Sequence, residues 1–140
     1  MNTHTITILL RIAAMLHVFL ICAGASMPKA VNMRAHLAVL PPFLRQLFFI
    51  YFSFIGLMLV GFGALTFIFA PAMAAGEPVA RGLSMLLTAF WSLRFFAAFV
   101  FDVRPYLTNW IYRVGYYVIN VIFLYLLAVY SFAALKGGGL

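Results

Sequence analysis

The sequence has very few acidic residues, since Glu77 and Asp102 are the only two among 140 residues. Both stand at the edges of the long apolar runs rather than inside them. An ion-coupled pump needs carboxylates within its membrane helices to pair with cations or relay protons. A Ser-His-Asp hydrolase needs an aspartate held beside its histidine. The scarcity of acids therefore argues against both classes.

Cysteine is equally scarce, because Cys22 is the only one. One cysteine excludes an intrachain disulfide and a multi-cysteine metal site, and its apolar neighbours favour an inert thiol. The chain also lacks a nucleotide-binding loop and the HExxH motif of zinc proteases. We therefore predict no metal and no cofactor. The pattern favours a non-enzymatic role, and lipid or quinone chemistry with His17 and Arg94 remains the alternative.

Charge of either sign is rare, at 8% of residues against 67% hydrophobic residues. A soluble domain carries about 25% charged residues. The few charges of this chain could not cover the surface of a particle in water. The net charge is +7, and the basic residues are scattered between apolar runs without forming a cluster. Nucleic acid is therefore not an expected partner, and lipid is the expected solvent for most of the surface.

Four continuous apolar runs are present, and each is long enough for a helix that crosses a bilayer, which takes about 20 residues. The runs do not alternate polar and apolar residues as barrel strands do. Prolines or a glycine separate them, and Pro28 and Pro71 are expected to mark the ends of the first and second runs. We predict an all-α fold: one integral membrane domain over residues 1–140, forming an antiparallel four-helix transmembrane bundle. The predicted spans are residues 6–27, 47–70, 79–101 and 111–135, with a flexible tail at 136–140.

The first loop contains "KAVNMRAHLAVL", residues 29–40, which lies between prolines and is rich in helix-forming residues. Helical spacing would put Lys29, Asn32 and His36 on one face. A short helix lying along the membrane surface is one interpretation. An irregular loop is the other.

Basic residues are more frequent in the first and third loops than on the opposite side, and basic loops tend to stay in the cytoplasm. We therefore expect these two loops to be cytoplasmic and both termini to be outside, in a bacterial inner membrane. The residues that set this bias are Lys29, Arg34, Arg45, Arg104 and Arg113 with Asp102 on one side, and Arg81, Lys136 and Glu77 on the other, where Arg11 is added if it snorkels outward.

Arg94 lies within the apolar stretch "FWSLRFFAAFVFD", residues 90–102. A charge at this depth is costly, so it should face a cavity, the other helices or the head groups. A cation–π contact with Trp91 is expected from the helical spacing. One hypothesis is that Arg94 binds an anionic head group. The alternative is a structural arginine that snorkels or bonds carbonyls of a neighbouring helix.

Two further polar residues lie within the spans, His17 and Asn120. We expect both to form hydrogen bonds between helices, and both are candidates for contact with the same head group as Arg94 and Trp91. A haem or metal ligand is the less favoured interpretation of His17. Asn120 also belongs to a polar stripe that helical spacing places on one face, expected inside the bundle. The other members of this stripe are Arg113, Tyr116, Tyr117 and Ser131.

Two series of small residues indicate close helix packing. The third span has Ser84, Thr88 and Ser92 at steps of four, and the second has Gly56, Gly63 and Ala70 at steps of seven. Neither series carries chemistry by itself.

Two functions fit these observations. The first is a noncatalytic accessory or scaffold subunit of a larger membrane assembly, with membrane lipids and other subunits or further copies as partners. The second is a binder or carrier of an anionic-headed amphiphile, a lipid or a quinone-like molecule, at Arg94.

Overall fold

The computed structural model describes residues 1–136, and helices account for nearly all of them. No strand occurs in this part of the chain. Four of the helices are long and apolar enough to cross a membrane, which confirms the all-α class and the four spanning-length helices. The elements are α1 Thr3–Ala30, α2 Met33–Ala38, α3 Pro42–Ala75, α4 Pro78–Val100, a 3-10 turn Arg104–Tyr106, and α5 Trp110–Lys136.

Two prolines that were expected to end spans lie inside helices instead. Pro28 is within α1 and Pro71 is within α3, which continues to Ala75. A proline removes one backbone donor but need not end a membrane helix, because packed neighbours and local adjustment can satisfy the freed carbonyl. Helix α3 has 34 residues, so it is about 51 Å long at 1.5 Å per residue.

The connection between α3 and α4 is very short because Gly76 ends α3 in the left-handed conformation, with φ 77°. Its N–H donates to the carbonyl of Met73, and the N–H of Glu77 donates to the carbonyl of Ala72. This is the Schellman arrangement, which satisfies the last carbonyls of a helix. Pro78 then begins α4, where its missing N–H costs nothing.

The helices pack mainly as two pairs, α1 on α3 and α4 on α5, and α1 also contacts α5. Hydrogen bonds join the pairs near the chain ends. Tyr125 donates to the carbonyl of Leu9 at 3.0 Å, and Lys136 donates to the Thr3 hydroxyl at 3.3 Å. The start of α1 and the end of α5 therefore lie together. Lys136 is helical rather than part of a tail, and residues 137–140 lie outside the described part.

The first loop does contain a helix, α2, but it has only six residues. Leu37 is its one buried side chain. The face predicted to join Lys29, Asn32 and His36 does not form, since Lys29 belongs to α1 and Asn32 adopts the left-handed conformation before α2 begins. The left-handed conformation of Asn32 interrupts the helix, and this breaks the helical period that the prediction assumed.

Candidate functional site

Trp91 is the largest fully buried side chain of the described residues, with 1% of its surface exposed. Its ring contacts aromatic rings from three helices. The centroid distances are 5.3 Å to His17 of α1, 5.4 Å to Phe123 of α5 and 5.2 Å to Phe90 of α4. Offset and edge contacts of this kind stabilise aromatic clusters beyond the area that they bury. Trp91 therefore connects both helix pairs at the centre of the molecule.

His17 is completely buried beside this indole. Its Nδ1 lies 2.8 Å from the carbonyl oxygen of Ala13, one turn earlier in the same helix. A carbonyl can only accept, so Nδ1 carries the proton and the neutral ring has a bare lone pair on Nε2. The predicted bond from His17 to another helix is wrong, because the nearby carbonyl of its own helix takes the donor.

Gly63 of α3 gives His17 its space. A Cβ at this position would stand 3.0 Å from the His17 Cβ and 3.4 Å from the carbonyl oxygen of Ala14. Any larger residue would therefore push α3 away from α1. An open apolar groove of about 430 Å³ runs beside this contact, between residues of α1 and α3.

Thr66 and Tyr130 form a buried hydrogen bond of 2.8 Å between α3 and α5. Both side chains are fully buried. Tyr130 also lies edge-on to His17, with ring centroids 6.2 Å apart. This pair was not predicted from the sequence, although a threonine and a tyrosine in the middle of apolar spans are the residues expected to bond across helices.

Arg94 lies beside the aromatic cluster, on the rim of a cleft that all four spanning helices line. Its guanidinium carbon is 4.9 Å from the centroid of the Phe123 ring, so the predicted cation–π partner, Trp91, is wrong. The side chain is exposed on the outer surface of the helices. The cleft has a volume of about 250 Å³, and its lining residues are Leu20, Ile55, Leu59, Phe90, Trp91, Arg94 and Phe123.

No acceptor within residues 1–136 forms a hydrogen bond with the Arg94 guanidinium. Arg81, by contrast, donates from Nε to the carbonyl of Ala134 at 3.0 Å. Asp102 accepts from the backbone N–H of Arg104 and so stabilises the third loop. Arg94 is thus a cation within an apolar helix of spanning length, with an aromatic neighbour and with donors that no described residue satisfies.

Of the four predicted head-group residues, the structure brings three together. Arg94 and Trp91 line one cleft, and His17, which does not line it, contacts the Trp91 ring edge-on. Asn120 does not join them. Its Nδ2 donates to the carbonyl of Tyr116 in its own helix at 2.8 Å, so the predicted interhelical bond is wrong.

The polar stripe of α5 does not form the buried face of that helix, so this prediction is wrong as well. Arg113 and Tyr117 are exposed, and Tyr116, Asn120 and Ser131 are only partly buried. The buried face of α5 is displaced by about one residue from the predicted stripe, and most of its residues lie toward the C-terminal end of the helix. It consists of Ile122, Phe123, Leu126, Val129, Tyr130, Ala133 and Ala134.

The small-residue series are only partly at packing positions. Gly63 and Ala70 are buried, but a Cβ on Gly56 would meet nothing within 4 Å. A cleft of about 250 Å³ lies between α1 and α3 at that level. Ser84, Thr88 and Ser92 each donate to the carbonyl four residues earlier in α4. Only Ser84 of these three is fully buried.

The described residues contain no group of three His, Cys, Asp or Glu side chains placed to hold a metal ion. No protein-family model, curated protein or solved structure matches the chain. The geometry around Trp91 and Arg94 is therefore the basis for a functional proposal.

Proposed function

We propose that this chain is a small integral membrane protein that binds an amphiphile with an anionic head group at Arg94. The observation that carries the proposal is the guanidinium on the rim of an apolar cleft, without an acceptor from residues 1–136. A cation in a low-dielectric medium is stabilised strongly by a carboxylate or phosphate, and a guanidinium can bind either through two parallel hydrogen bonds.

The size of the cleft limits what the amphiphile can be. Its volume of about 250 Å³ is below the roughly 300–1,000 Å³ of pockets that enclose a drug-sized ligand. A whole two-chained phospholipid is far larger. The cleft fits one segment of a hydrocarbon chain, or one aromatic ring, while the anion stays at Arg94 and the rest of the molecule lies among the lipids.

The two tryptophans permit a direct test. Trp91 lines the cleft, whereas Trp110 is 77% exposed at the start of α5. A Trp110→Phe background therefore leaves fluorescence that reports on Trp91 alone. Dibromostearate in uncharged nanodiscs should quench this fluorescence with saturation, because bromine quenches at short range. Its methyl ester, which has no charge, should quench only weakly.

Arg94→Gln should weaken dibromostearate binding about tenfold or more, since a charge-assisted hydrogen bond contributes about 1.5–3 kcal/mol. Arg11→Gln is the matched control: Arg11 also lies within a span and over a phenylalanine, 5.9 Å from the Phe67 centroid. It does not line the cleft. Equal quenching by acid and ester, or equal losses in both variants, would refute the proposal.

A second candidate function is a noncatalytic accessory or scaffold subunit, and the exposure of α3 favours it. Only 6% of the most apolar window of α3 is buried within the chain. Lipid, a second copy or another membrane subunit could cover this helix. Gentle purification in nanodiscs, with quantitative mass spectrometry of the copurified chains, tests it. A foreign subunit at constant stoichiometry supports this role, and its absence from stable, monomeric preparations contradicts it.

For the membrane arrangement we propose an antiparallel four-helix bundle in a bacterial inner membrane, with loops one and three cytoplasmic. The contacts of each span with its neighbours and the proximity of Thr3 and Lys136 support the bundle. The basic residues of the first and third loops support the orientation. The α2 helix would then lie at the cytoplasmic surface. Labelling of single cysteines in a Cys22→Ser background, from each side of sealed vesicles, tests the orientation.

A further inference from the structure

Two buried nitrogens in the aromatic cluster have no hydrogen-bond partner in the structure: Nε2 of His17 and Nε1 of Trp91. Both side chains are almost completely buried, at 0% and 1% exposure. An unsatisfied polar group in such surroundings costs about 1–3 kcal/mol. Native proteins therefore almost always satisfy buried groups of this kind, often through a small polar molecule.

The two nitrogens have opposite hydrogen-bonding character. The Ala13 carbonyl fixes the proton of His17 on Nδ1, so Nε2 can only accept while the ring is neutral. The Trp91 indole can only donate. A direct bond between them is not made, although the rings touch edge-on with centroids 5.3 Å apart.

No described residue forms a hydrogen bond with either nitrogen. The Tyr130 ring lies edge-on to His17, but its hydroxyl bonds Thr66 at 2.8 Å. A group that donates to the imidazole and accepts from the indole would therefore come from outside the described residues.

We propose that His17 and Trp91 form a binding site for a single hydroxyl group, which donates to His17 Nε2 and accepts from Trp91 Nε1. The two rings are in contact, with centroids 5.3 Å apart, and one oxygen atom that forms two hydrogen bonds of about 2.9 Å can join nitrogens up to nearly 6 Å apart. The hydroxyl belongs to a water molecule or to an uncharged part of an amphiphile. The site is independent of Arg94, because its two partners do not require an anion.

The main test is NMR spectroscopy of the full chain in nanodiscs, with nitrogen-15 in histidine and tryptophan. A Trp110→Phe background leaves one indole N–H signal, from Trp91. We expect the neutral His17 with its proton on Nδ1, and a cross-peak from the indole proton to a hydroxyl. A cross-peak to water identifies water as the source. A cross-peak to amphiphile protons that disappears after delipidation identifies the amphiphile.

A shape-preserving variant separates this site from simple ring packing. The benzothienyl analogue of tryptophan at position 91 keeps both rings but replaces the N–H with sulfur. If one hydroxyl bridges the rings, this replacement should shift the nitrogen-15 resonance of His17 Nε2 toward the value of an Nε2 that accepts no hydrogen bond. Trp91→Phe, which also opens a cavity, should give the same shift.

The proposal is wrong if the indole proton shows no cross-peak to any hydroxyl and the benzothienyl analogue leaves the His17 Nε2 resonance unchanged. It is also wrong if His17 carries its proton on Nε2. Neither result would affect the binding of dibromostearate at Arg94, so failure of this site and failure of the proposed function are distinguishable.

Discussion

Helices α3 and α5 are nearly equal in mean hydropathy, but the chain buries them very differently. Of the most apolar 18-residue window of α5, 39% is buried within the chain, whereas only 6% of the corresponding window of α3 is buried. The buried residues of α5 concentrate on one side, from Ile122 to Ala134, whereas most large side chains of α3 are exposed. Hydropathy thus identifies the solvent of a helix without indicating which of its faces contacts protein. In lipid, an apolar side chain gains little by leaving the solvent, so packing shape decides the contacts.

The largest effect that would test this contrast comes from truncating a buried aromatic residue and an exposed one. Trp91→Ala should lower the free energy of unfolding by about 3 kcal/mol or more, since it leaves a cavity where three aromatic contacts meet. Phe54→Ala on α3, 58% exposed, should change it by less than about 0.5 kcal/mol. SDS titration in mixed micelles, followed by near-ultraviolet circular dichroism, measures both. Equal losses would show that another chain or a bound ligand covers α3.

Two glycines of α3 provide a closer comparison within one helix. Gly63→Ala should destabilise the protein by about 1–3 kcal/mol, because its Cβ would meet the His17 Cβ at 3.0 Å. Gly56→Ala should be neutral or stabilise the helix by up to about 1 kcal/mol, because its Cβ would meet nothing within 4 Å.

The same SDS titration compares these two alanine variants directly. Similar destabilisation by both would mean that α3 is packed along its whole length rather than only near His17.

The smallest expected effect is the loss of the hydrogen bond between α3 and α5. Thr66→Val and Tyr130→Phe should each cost about 0.6–2 kcal/mol, the range for hydrogen bonds between membrane helices. The double variant should cost less than the sum, because one bond can be lost only once. Ser53→Ala is the control, since the Ser53 hydroxyl donates only within α3. Additive effects of the two substitutions would exclude this bond as a contact between the helices.

The four spanning-length helices were predictable because long apolar runs leave the backbone no partner except itself. Their ends were less predictable: Pro28 and Pro71 signal helix ends in water but lie within helices here. The site was predicted in part. A charge or an imidazole is conspicuous in an apolar run, so Arg94 and His17 were identified, and Trp91 followed from its helical spacing to Arg94. Their actual partners were not, because these depend on how the helices rotate.

The sequence by itself determined the solvent and the secondary structure. A chain with 8% charged residues and four long apolar runs cannot cover itself in water, and in lipid its backbone must form helices. Tertiary structure alone decided which faces meet. It placed Phe123 rather than Trp91 beneath Arg94 and paired Thr66 with Tyr130. It also left the Asn120 stripe away from the core. The physical reason is that nearly uniform apolarity gives every face the same affinity for lipid, so only the shapes of side chains and a few hydrogen bonds select one packing.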